Sequence, residues 1–215
     1  MAGRFTRMPA DTFQQIQTDA GILLYKFNPE EPDSVSDEDI ICPTTGGITA
    51  ACVPSFTDLG EDVDNCPVNL LELKKLTGWE CSISFTSLGT SPKSIRLALG
   101  AADLDNEEKP TKITPRATLD HEKDVSDVWW VGDRADGGIV AICLKRALST
   151  AGFSLQTTKA GKGNTSVTLT GHVSVETQDE VPMEFYSTGP DASADMLSDK
   201  SGTRVVTAST AKKDG

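Results

Sequence analysis

Two histidines, His121 and His172, and five cysteines, Cys42, Cys52, Cys66, Cys81 and Cys143, are the side chains of this sequence best suited to nucleophilic, acid–base or metal chemistry. Their spacing supports none of these. No C-x-x-C occurs and neither histidine lies near paired cysteines, so the pattern of a structural zinc site is missing. The odd number and wide spacing of the cysteines argue against a disulfide framework and predict reduced thiols packed as small hydrophobes. Gly161-Lys162-Gly163-Asn164-Thr165 superficially suggests a phosphate loop, but the lysine precedes a glycine where that loop needs Ser or Thr. It reads as a turn ahead of a strand at Val167. Asn164-Thr165-Ser166 has the form of a glycosylation sequon, which matters only in a secreted chain. Asp103 to Glu108 and Asp58 to Asp64 resemble fragments of calcium loops without the central glycine or the closing glutamate in register. His121 lies among Glu122 and Asp124, and His172 on the polar side of an alternating run, with no nucleophile elbow to complete a triad. We therefore expect no catalytic, cofactor-binding or metal-binding residue, no cofactor, and a protein that is not an enzyme.

Charge is the more informative property. The chain has 20 Lys and Arg against 32 Asp and Glu, a formal net charge of −12. Between Lys26 and Lys74 there is no cation, but Glu30, Glu31, Asp33, Asp37, Glu38, Asp39, Asp58, Glu61, Asp62, Asp64 and Glu72 all fall there. Nucleic-acid binding works by neutralising phosphates, so such a segment argues against it. It reads as a solvated acidic loop or as a surface that repels a polyanion. No apolar run approaches the length of a membrane helix, and mean hydropathy is −0.26. The N-terminal stretch has arginines but no apolar run after them, so no secretory signal is expected and a cytoplasmic site of synthesis is.

The elements that would position these residues are mostly strands. With 215 residues, of which 37% are hydrophobic, one domain with tails is expected. Ser, Thr, Gly and Pro are plentiful and long 3.6-residue patterns are scarce, which favours strands and turns. Cys81 to Thr86 alternates apolar and hydroxyl residues, and Val167 to Glu176 alternates apolar residues or glycine with polar ones, each the period-2 mark of a half-buried strand. Gly21 to Phe27 and Ile139 to Leu144 are apolar on both faces, which predicts cover on both sides, including burial at subunit junctions. Val125 to Val131, with Trp129 and Trp130 on opposite faces, is a further strand, and Asp136-Gly137-Gly138 supplies a hairpin turn towards Ile139. One helix is predicted: Ser91 caps it, Pro92 opens it, and Ile95, Ala98, Leu99 and Ala102 form its apolar stripe. Leu70 to Leu76 predicts a second short turn of helix. Residues 28–66 read as an acidic, loop-rich segment, and 187–215 as a flexible arm or one that orders on a neighbouring subunit.

Several stretches have a family look. Trp129-Trp130-Val131-Gly132-Asp133 is followed by Asp136-Gly137-Gly138-Ile139-Val140-Ala141-Ile142 and by Ala147 to Lys159. Gly161-Lys162-Gly163, Leu169-Thr170-Gly171-His172 and Val181 to Tyr186 continue it, while Asp19 to Leu24 and Leu73 to Trp79 fit the same pattern. Over most of residues 1–186 the chain resembles the major tail, or tail tube, proteins of siphophages, especially those infecting Firmicutes.

That resemblance implies a mainly β, sandwich- or barrel-like fold over 1–186 with one flanking helix. Six copies would close into a ring whose strands form an inner barrel. Rings would stack into a tube that conducts double-stranded DNA during ejection. The implied partners are further copies of the chain, the tape-measure, tail-tip and tail-terminator proteins, and DNA in passage without specific binding, with no membrane. The implied location is the virion tail, assembled in the bacterial cytoplasm. Another virion structural protein, such as a capsid decoration or tail-terminator protein, and a monomeric ligand-binding β-sandwich are the alternatives. Within a tube, the polar faces of the two alternating strands, Ser82, Ser84 and Thr86 on one and Thr168, Thr170 and His172 on the other, are the candidates to line a net negative channel. The contrary expectation is that both faces meet outer solvent.

Overall fold

The computed structural model describes residues 12–106 and 109–189. The fold is mainly β and antiparallel, with one α-helix among the described residues. In chain order the strands are β1 (Ile22–Leu24), β2 (Thr44–Asp58), β3 (Lys74–Ser87), β4 (Ala102–Asp105), β5 (Lys112–Pro115), β6 (Ser126–Asp133), β7 (Ile139–Ser149), β8 (Leu155–Gln156), β9 (Asn164–Thr170) and β10 (Met183–Thr188). Helix α1 (Pro92–Leu99) falls between β3 and β4. The main sheet runs β1-β6-β7-β9-β3-β2, with β10 also on β7 and β8 also on β9, while β4 and β5 form a separate hairpin.

Strand β7 belongs to two layers. From Ile139 to Leu144 it lies between β6 and β10, and only at Leu148 and Ser149 does it pair with β9. Between the two halves, Leu144 faces Val128 and Ala147 faces Ser126, with a register shift. Arg146 there has φ 47°, and its amide donates to Asp127 Oδ1 at 2.9 Å. A bulge of this kind bends a strand and lets it pass from one sheet to another. The β1-β6-β7-β10 layer and the β9-β3-β2 layer therefore face each other, and Leu23, Val128, Trp130, Leu144 and Met183 from the first meet Cys81, Ile83, Phe85, Val167 and Leu169 from the second in one buried cluster.

The first layer is covered on its outer side too. Leu24, Trp129, Ala141 and Cys143 are buried there beneath Phe27, Val35 and Tyr186. Trp129 meets Phe27 edge-on, with ring centroids 5.6 Å apart, and Tyr186 at 5.5 Å. This is why β1 and β7 read as apolar on both faces; the cover comes from the same chain and does not require a subunit junction. The acidic segment supplies part of it. Its 3-10 turns, Pro32–Ser34 and Asp37–Asp39, carry Val35 inward, and the chain then returns along β1 through Ile41 N–H to Leu23 C=O at 2.9 Å.

Several expectations are met and several corrected. Trp129 and Trp130 do lie on opposite faces, and Gly137 (φ 83°) turns β6 into β7. Helix α1 is capped by the Ser91 side chain, which accepts from Ser94 N–H at 3.2 Å. Gly100 (φ 76°) ends it, so Ala102 is buried as part of β4 and not of the helix, and Ser94 with Ala98 forms the innermost face. The predicted short turn is a 3-10 turn, Leu71–Leu73, leading directly into β3. The strand expected from Val167 to Glu176 stops at Thr170. Gly171 passes so close to Leu144 and Pro182 that a Cβ would stand 2.7 Å from Leu144 Cδ1, and the chain leaves the sheet there. Residues 28–66 are not loop throughout: Thr44–Asp58 is the 15-residue strand β2. Of the arm expected at 187–215, Ser187 and Thr188 belong to β10, and residues from 190 lie outside the described residues. No helix among the described residues is long and apolar enough to cross a membrane.

The turn before β7 is the tightest backbone approach. A Cβ on Gly138 would stand 1.9 Å from Thr188 C=O, a backbone atom that cannot rotate away. Gly138→Ala should therefore cost about 2–3 kcal/mol and detach the end of β10. Urea denaturation at equilibrium checks the loss; an unchanged midpoint would contradict this packing.

Candidate assembly surface and hydroxyl face

The middle of the second layer has two unlike faces. Inward lie Ile83, Phe85, Val167 and Leu169, all buried. On the opposite face the register sets Ser82 against Thr170, Ser84 against Thr168 and Thr86 against Ser166. On the far side of β3, Thr86 faces Thr45, Ser84 faces Thr49 and Ser82 faces Ala51. The two polar faces predicted separately are thus one continuous field of hydroxyls across β2, β3 and β9, with no ionisable side chain among these positions. Ser84 and Thr168 share a hydrogen bond at 3.1 Å, and Thr150 with Thr170 another at 3.0 Å. Cross-strand hydroxyl pairs of this kind satisfy one another and leave their remaining valences to water.

His172 does not belong to that field. Past the end of β9, its amide donates to Lys145 C=O, and its ring lines a surface cavity together with His121, Arg146 and Leu148. The two histidines, distant in sequence, are thereby brought to one wall, yet no group of three potential metal ligands forms among the described residues. The calcium-like stretches are local turns or strand: Asp58 Oδ1 accepts from Gly60 N–H, and Asp103 lies in β4 and pairs with Arg116 at 3.0 Å. Gly161 closes a turn with Thr158 three residues before β9 begins. All five cysteines are free, with Cys42, Cys81 and Cys143 buried.

The feature that sequence reasoning missed is the outer half of the β2–β3 hairpin. The two strands stay paired from Thr44–Ser87 out to Asp58–Lys74, beyond the last residue that β9 covers. From Val53 outward, the hairpin has no third strand beside it among the described residues. Phe56, directly opposite Leu76, is 59% exposed, and at the tip Leu71 and Val68 are 78% and 90% exposed. Val53, Leu59 and Val63 are also exposed, interleaved with the carboxylates Glu61, Asp62 and Asp64. A partial signal existed: Ile48, Ala50, Cys52 and Phe56 recur at even spacing with Thr49, Ser55 and Thr57 between or beside them, the period of a strand, but Ala51 and Val53 break the alternation and the surrounding acidic residues and glycines obscured it. Strand β2 is also a sheet edge, with no strand on its outer side among the described residues; Pro54 is the one position that cannot donate there.

No family model matches the chain, and no curated protein matches it.

The hydroxyl field makes a measurable claim about its own cohesion. Ser84→Ala and Thr168→Val should each destabilise the sheet slightly, and in a double-mutant cycle the two should couple by about 0.5–1 kcal/mol. Additive effects would mean that the hydroxyls bond to water and not to each other.

Proposed function

We propose that this chain is a structural, self-assembling subunit, the major subunit of a phage tail tube in which six-membered rings stack into a conduit for double-stranded DNA. The observation that carries this reading is the β2–β3 hairpin, which extends past the core with apolar residues uncovered on an unpaired edge. Soluble monomers seldom leave such a surface open, and a long apolar edge strand is an aggregation hazard unless another chain covers it. Burying a side chain such as Phe56 or Leu76 contributes about 1.5–3 kcal/mol, so the arm alone can hold neighbouring subunits together. Closing strands into a ring removes free edges altogether.

The hydroxyl field suits the wall of a conduit. A lysine-lined wall would release counterions and hold the duplex, with roughly one unit of salt slope per phosphate neutralised. An uncharged wall of Ser and Thr stays hydrated and lets phosphates pass, while the acidic balance of the chain as a whole opposes binding elsewhere. In this reading Ser82, Ser84, Thr86, Thr168 and Thr170 face the lumen, and His172 stands outside it. The partners are other copies of the chain and the proteins that start, measure and end a tail.

Negative-stain microscopy and light scattering of the purified full chain test the reading. Rings or tubes should form without nucleic acid or metal, and Phe56→Asp combined with Leu76→Asp should leave folded monomers melting within a few degrees of the parent. A parent chain that stays monomeric at high concentration, with or without a tail-tip initiator, would favour a ligand-binding β-sandwich instead. For the wall, Ser84→Cys in assembled tubes should react with a small maleimide and resist one coupled to a polymer wider than the bore. Equal reaction with both would turn the hydroxyl face to the outside.

A further inference from the structure

Cys52 and Cys81 stand directly opposite one another on β2 and β3, at the level where the hairpin leaves the core. Their sulfurs are 3.2 Å apart and share a hydrogen bond. Facing residues on antiparallel strands have Cα atoms about 4.5 or 5.5 Å apart, both inside the span of roughly 4.4–6.8 Å that a disulfide bridges. A bond of about 2.05 Å therefore needs only side-chain rotation and a small approach of the strands. The other three cysteines are elsewhere: Cys143 lies under Trp129 on the far side of the first layer, Cys66 in the hairpin tip, and Cys42 beside Ser87.

We propose that Cys52 and Cys81 form an oxidation site, closing under peroxide into a cross-strand disulfide that staples the base of the β2–β3 arm. The two thiols are not equivalent. Cys81 is fully buried in the main core, whereas Cys52 is half-buried at its margin. Burial first, and then the contact with Cys52, pushes the Cys81 thiol up to about 12. Oxidation thus begins at Cys52: its thiolate takes an oxygen from hydrogen peroxide, the O–O bond breaks, and hydroxide leaves. The Cys81 sulfur then attacks the sulfenic sulfur, the S–O bond breaks, and the Cys81 proton leaves with the departing hydroxide as water. Two thiols and one peroxide give one disulfide and two waters. Contact between the sulfurs offsets the reluctance of Cys81 to ionise, since only side-chain rotation and a small approach of the strands are needed to bring it in. The staple fixes the register Cys52–Cys81 and keeps the uncovered outer strands from splaying, whatever the arm later meets.

The folded full chain, treated with hydrogen peroxide and then alkylated in denaturant without reductant, tests this. Alkylatable thiols should fall from five to three, and a peptide map should link Cys52 to Cys81 within one chain. Cys52→Ser should retain all four of its thiols under the same treatment, while Cys81→Ala should form no link and carry the added oxygen on Cys52. Trypsin, cutting at the exposed Lys74 or Lys75, nicks the chain between the two cysteines. Oxidised chain should then remain one band until reductant splits it, while untreated chain falls apart at once. Five alkylatable thiols after peroxide, a link between other cysteines or between chains, or added oxygen on Cys52 with Cys81 still free would each overturn the proposal.

Discussion

At Arg146 the backbone turns left-handed, a conformation that side chains with a Cβ adopt at a cost. The cost is offset locally, because Asp127 accepts the Arg146 amide across the bulge. Its consequence is global. Without the bend, β7 would run straight and the strands on either side of it would form one flat, open sheet. With it, Ile139–Leu144 serves one layer, Leu148 and Ser149 reach the other, and the two layers close on a shared core. Trp130, Leu144, Ile83 and Leu169 meet only because that strand changes direction.

Once the layers are folded together, their outer faces have different fates. The outer side of β1, β6 and β7 is roofed by Phe27, Val35 and Tyr186, so the acidic segment that looks like pure solvent-facing loop is anchored by the few apolar residues within it. The outer side of β3 and β9 is lined instead by hydroxyls that pair across the strands. Farther along β3 the inner layer runs out, and the same hairpin exposes Phe56, Leu76 and their neighbours. One pair of strands thus passes from core to hydrated wall to bare apolar arm along its length.

That gradient bears on how the molecule works with others. In the proposed assembly the hydrated, uncharged face would give passing phosphates nothing to hold, and the uncovered apolar arm would be completed by another subunit. Cys52 and Cys81 sit where one regime gives way to the other. The mechanical stiffness of the arm depends on the ladder at that level, because beyond it the two strands run past the last residue that β9 pairs with.

The residue pattern by itself determined the class of fold and much of its interior. Alternation at Cys81–Thr86 and Val167–Thr170, two-sided apolarity at β1 and β7, the Trp129–Trp130 opposition, the Asp136-Gly137-Gly138 turn and the Ser91-Pro92 helix start are local features, set by side-chain periodicity and backbone chemistry within a few residues. It also separated the polar positions of β3 and β9 from the apolar ones. What tertiary structure alone decided depends on partners distant in the chain. It merged those polar positions into one face, since only register sets Ser84 beside Thr168. It ended β9 at Thr170, although the alternation runs on to Glu176, because a strand lasts only as long as a neighbour pairs with it. It turned Thr44–Asp58, read as part of an acidic loop, into the longest strand, because β3 pairs with it at 13 positions although acidic residues flank it on both sides. Periodicity states which side of a strand a residue prefers; only the pairing of strands decides whether anything lies on that side.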